Sequence, residues 1–76
     1  MDDYYLRYAN NLNRLWRLVC FLNERERPVP GLAEAVATIE EGCPFSELPA
    51  ELRDAIWRGI EEEEEILREL RRPVLH

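Results

Sequence analysis

Lysine is absent from this chain. All ten cationic residues are arginines. Arginine favours ordered, bidentate pairing over diffuse solvation, so the positive charge suits ion pairs within a bundle or across an interface. Histidine occurs once, as the last residue, His76. Nucleophilic catalysis wants a thiol or hydroxyl beside a histidine oriented by a third group, and no such set can be assembled here. Cysteine is limited to Cys20 and Cys43, without a CxxC pair. With His76 they are too few and too scattered for a four-ligand zinc site, and no cofactor is expected. A Cys20–Cys43 bridge is not expected either, and no signal-peptide pattern is present, so the reading is a reducing cytoplasm. Long apolar runs are missing as well. The longest, Leu18 to Leu22, falls far short of the ~18 residues that would span a bilayer.

Acidic residues outnumber basic ones sixteen to ten, for a net charge of −6. Phosphate-backbone binding needs arrays of Lys and Arg, so direct nucleic-acid and anionic-membrane binding are disfavoured. A basic protein surface remains a suitable partner. Seventy-six residues make one domain at most. Area scaling gives a folded surface of about 4,900 Å² against about 13,000 Å² unfolded, a real but thin core. Such a core seldom supplies more than about 3–5 kcal/mol, which points to completion by homodimerisation.

Apolar spacing predicts an all-α fold, a small helical bundle in which two long antiparallel helices are joined through a short one. The first helix is expected over about residues 3–24, from an acidic start at Asp2 or Asp3. Tyr5, Tyr8, Leu12, Leu15, Val19 and Leu22 form its heptad seam. Ala9, Trp16 and Cys20 widen that seam to a bundle stripe. Glu24 to Arg27 fray the helix and Pro28-Val29-Pro30-Gly31 ends it. A short helix over 32–41 follows, with Leu32, Ala35, Val36 and Ile39 on one face and Gly42 as its stop. Phe45 and Leu48 flank the third helix, expected over 49–72 with Pro49 in its first turn and a tail at 73–76. Its stripe is Leu52, Ile56, Ile60, Ile66, Leu67 and Leu70. Arg58–Glu62 and Glu64–Arg68 have the spacing of helical ion pairs.

A few side chains do not fit these stripes. Leu18 and Phe21 fall on the outer side of the first helix, and Trp57 about 120° from the centre of the third helix's stripe. These three are the candidate partner- or self-interface, because Trp and Phe are enriched where proteins meet. Arg14, Arg53 and Arg58 lie close by in projection and would rim such a patch. Alternatively, the short helix and the connector fold over the three. Glu63 falls almost at the centre of an apolar stripe. Either the helices splay there and the carboxylate reaches water, or it meets an arginine and sets register. The partner would come from across an interface, or be Arg14 or Tyr8 of the same chain. The run Glu61 to Glu65 reads as a solvated acidic face, since consecutive helical residues point in different directions.

The stretch Leu48-Pro49-Ala50-Glu51-Leu52 through Ile56 resembles the opening of an F-box helix over nine residues, and the rest of the chain does not follow that pattern. In size, acidity and helical content the chain is similar to the small inhibitors that phages and mobile elements direct at host machinery, anti-CRISPR proteins among them, and to antitoxins. That resemblance implies a non-enzymatic protein that blocks or tethers a partner protein. A homo-oligomeric assembly subunit and an acidic mimic of nucleic acid are the alternatives.

Overall fold

The computed structural model describes residues 7–71. Among the described residues, a helical segment at 7–9 is followed by three bounded α-helices, α1 (Leu12–Glu24), α2 (Leu32–Glu40) and α3 (Ala50–Arg71), joined by short connections, and a 3₁₀ turn (Phe45–Glu47) precedes α3. No strand occurs among the described residues. The expected starts at Asp2 and Asp3, the seam residue Tyr5, and the tail with His76 lie outside the described residues.

The first helix is not continuous. Residues 7–9 are helical, Asn10 turns, and α1 starts afresh at Leu12. Asn11 causes the restart. Its backbone is extended (φ −110°, ψ 95°), and its side-chain oxygen accepts from the Arg14 N–H at 3.1 Å. Asparagine competes with the helical ladder in this way and so favours caps over helix interiors. The break corrects the stripe. A seam drawn through Tyr5 and Tyr8 assumes unbroken helix; α1 by itself buries Leu15, Leu18, Val19 and Leu22. That set is rotated about 40° toward Leu18 relative to the longer seam. Leu18 is completely buried and Cys20, expected in the stripe, is exposed.

The other helix ends follow local chemistry. α1 closes before the prolines: the Glu26 N–H reaches the Asn23 carbonyl and the Arg27 N–H the Leu22 carbonyl, a Schellman motif. Glu26 sits at its left-handed position, φ 58°, the one non-glycine residue with positive φ among the described residues. α2 ends in the same motif, with Gly42 (φ 115°) bonding Ile39 and Cys43 bonding Thr38. The Pro49 carbonyl opens the α3 ladder by accepting from Leu52 and Arg53.

Each helix packs on both others. Leu15, Leu18 and Leu22 meet Leu32, Ala35 and Val36 of α2 and Ile56, Ile60 and Ile66 of α3. Gly59 lets them meet. A Cβ there would stand 2.9 Å from Leu32 Cδ2 and 3.2 Å from Leu18 Cδ2, so the missing side chain is the space those leucines fill. α1 lies across α3 rather than along it. Arg14 reaches Glu63, while Arg27, beyond the other end of α1, reaches Glu62 and Glu69. In an aligned antiparallel pair Arg27 would stand beside the start of α3. Ile66 is still buried in the distal part of α3, whereas Leu70, expected on the same stripe, is 60% exposed.

Candidate interaction surface

Glu63 is the buried acid that its position in the stripe implies, and its partners come from its own chain. It is 4% exposed. The Tyr8 hydroxyl donates to Oε1 at 2.8 Å, Arg14 Nη2 donates to the same oxygen at 3.0 Å, and Nη1 donates to Oε2 at 3.2 Å. The Arg14 guanidinium also stacks 4.6 Å from the Tyr8 ring centre. Burying a carboxylate is expensive unless it is paired and hydrogen-bonded, and three donors meet that requirement. The helices do not splay to admit water. The cluster ties the turn at residues 7–9 to α1 and α3 on either side of the Asn10–Asn11 break. Arg14, a candidate rim residue, is thereby engaged internally.

The off-stripe side chains separate into different environments. Leu18 is core, beneath α2 and α3. Trp57 is half-buried and meets the ring of Phe45 edge to face, centroids 5.1 Å apart and planes at 74°. The 3₁₀ turn thus folds over it, with Leu48 buried alongside. Arg53, one turn before Trp57, is half-buried, and its Nε has no hydrogen-bond partner among the described residues. Arg58 pairs with Asp54 at 3.0 Å in place of the expected Glu62, which pairs with Arg27. Phe21 alone of the three faces outward on α1. It is half-buried, with the Arg25 guanidinium 4.9 Å from its ring centre.

Phe21 belongs to a surface that apolar spacing does not mark out. Asn13, Trp16, Arg17, Cys20, Phe21 and Glu24 line one shallow depression on the outer side of α1. Asn13, Arg17, Cys20 and Glu24 are exposed along its floor, while Trp16 and Phe21 are half-buried at its two sides. Trp16 is held by α2, its indole N–H donating to Glu40 Oε1 at 3.1 Å. Of the two residues expected to widen the core stripe, Trp16 packs against the core with one edge at the surface, whereas Cys20 is exposed. The signal that identifies this face is the 4, 3, 4 spacing of Asn13, Arg17, Cys20 and Glu24, a second seam opposite the buried one.

A different depression, lined by Arg14, Glu63, Glu64, Glu65, Arg68, Glu69 and Arg71, mixes both charges along α3. No group of three or more His, Cys, Asp or Glu placed to hold a metal ion occurs among the described residues. Both cysteines are free thiols. No described helix is long and apolar enough to cross a membrane. No protein family matches this chain, and no curated protein or solved structure does.

Proposed function

We propose that this chain is a non-enzymatic protein-binding module that docks through the outer face of α1 and acts by blocking or tethering what it holds. The observation that carries this reading is the composition of that face. Trp16 and Phe21 pack their inner edges against the core and keep part of each ring at the surface on either side of the exposed Cys20. Aromatic side chains beside an arginine, with a polar rim, are the composition of protein contacts rather than of an ordinary solvated face. Occupying a partner's surface requires shape and anchors but no chemistry, which agrees with the likeness in size and composition to the small inhibitors of phages and mobile elements. The Trp57 region supports this reading less, because Phe45 and the 3₁₀ turn already cover it.

The test is capture from a lysate of the encoding cell, wild type against Cys20→Arg. The substitution puts a long cation in the middle of the face without touching the core, so the fold, read by circular dichroism, should be unchanged. Loss of the captured protein by the variant at about 150 mM salt supports docking through α1. Capture by both forms alike would place the contact elsewhere. A second reading, a homo-oligomeric assembly subunit, is favoured by the arrangement of Arg17 and Glu24 on the same face.

A further inference from the structure

We propose that the outer face of α1 pairs with the same face of a second copy of this chain, in an antiparallel, two-fold arrangement centred between Cys20 and Phe21. This rests on the docking role proposed for that face and names its occupant.

Charge complementarity selects the occupant and the register. Arg17 and Glu24 are exposed and form no ion pair among the described residues. They lie seven residues apart on one face, roughly 10 Å along the axis, too far to satisfy each other. In an antiparallel pairing, residues meet when their numbers share a constant sum. With Arg17 opposite the partner's Glu24, the dyad makes the reciprocal pair automatically, because a two-fold interface uses the same patch twice. In the same register Cys20 faces the partner's Phe21. The small side chain of Cys20 at the centre permits close approach of the two helices.

The balance of charge argues for a second copy over a basic foreign partner. The chain carries −6 overall, yet this face holds one arginine and one glutamate, so two such faces meet without net repulsion. A basic partner would find its complement instead along α3, where Glu61, Glu65 and Glu69 are exposed. The contact is one short helix face on each side, below the ~1,200 Å² of a stable standard interface, so the pairing is weak and concentration-dependent.

The experiment is sedimentation velocity of the full chain in a loading series up to about 1 mM, the range in which weak contacts populate. The wild type should show a sedimentation coefficient that rises with concentration. Arg17→Glu sets four acids against one another at the dyad, and Glu24→Arg sets four cations. Each should weaken association at least about tenfold while leaving the helical circular dichroism spectrum unchanged. Arg17→Glu combined with Glu24→Arg restores both pairs in swapped sense and should recover association. In a Cys43→Ser background, a short bis-maleimide should join two chains through Cys20, and adding Arg17→Glu should abolish that product. A wild type that stays monomeric throughout the series, or a double variant that does not recover, overturns the pairing. If a monomeric wild type still captures a cellular protein that Cys20→Arg loses, the docking role stands and the self-pairing falls. If neither association nor capture depends on this face, both fall.

Discussion

At the scale of single residues, the structure makes Glu63 the most sensitive position in the chain. Its carboxylate depends on donors from Tyr8 and Arg14, and removing one member of a buried pair costs far more than removing the whole pair. Arg14→Leu should therefore lower stability by about 2–3 kcal/mol, discounted from the fully buried case because Arg14 is partly solvated. Tyr8→Phe, Arg14→Leu and Glu63→Leu combined should recover most of that loss, and urea titration of the set measures the coupling. A triple variant less stable than Arg14→Leu would contradict this account. Glu26 predicts the opposite sign. Its left-handed backbone costs about 1–2 kcal/mol in an L-residue, and glycine there gives back part of it as chain entropy. Glu26→Gly should thus raise Tm by about 3–6 °C in a chain of this size.

At the scale of elements, the behaviour of α1 depends on where it begins. Asn11→Ala removes the cap oxygen from the Arg14 N–H and should cost about 1 kcal/mol. The loss should appear as earlier hydrogen exchange in the first turn of α1, with the later turns little changed. The 3₁₀ turn can be tested through its aromatic contact. In a Trp16→Phe background Trp57 is the only indole, and Phe45→Ala should shift its emission to longer wavelength and open it to acrylamide. An unchanged spectrum would mean that the 3₁₀ turn does not shield Trp57. The element scale also shows which sequence signals misled. The spacing from Tyr8 to Leu22 is a perfect seam, but a seam describes a face only while the helix is unbroken. Within the unbroken α1, Leu15, Val19 and Leu22 keep the seam, while Leu18 at its edge is also buried and Cys20 is exposed.

At the scale of the whole molecule, the thin core governs behaviour. Among the described residues, Leu70 near the far end of α3 and Cys20 on the outer side of α1 remain exposed. Global stability should accordingly increase with protein concentration if the α1 faces pair, since association adds to the folded state by mass action. A Tm that rises over a hundredfold concentration range in wild type, and stays constant in Arg17→Glu, is the expected result. A Tm independent of concentration in both would leave the monomer's own core as the whole of its stability.

The sequence by itself determined the helical class, because apolar spacing and the Pro and Gly stops set where helices can run. It also placed Glu63 on an apolar stripe, leaving open whether the carboxylate would reach water or meet a partner, with Arg14 and Tyr8 among the candidates. Tertiary structure decided the rest. Whether an off-stripe side chain is core or surface depends on the crossing of two helices and on what stands across from it. Leu18 went inward because Gly59 leaves it room. Trp57 was covered because the 3₁₀ turn carries Phe45 over it. Phe21, at the edge of the buried face, packs against the core and keeps part of its ring at the surface. Periodicity reports the direction a side chain takes from its own helix axis; only the packing of one helix on another decides what it meets there.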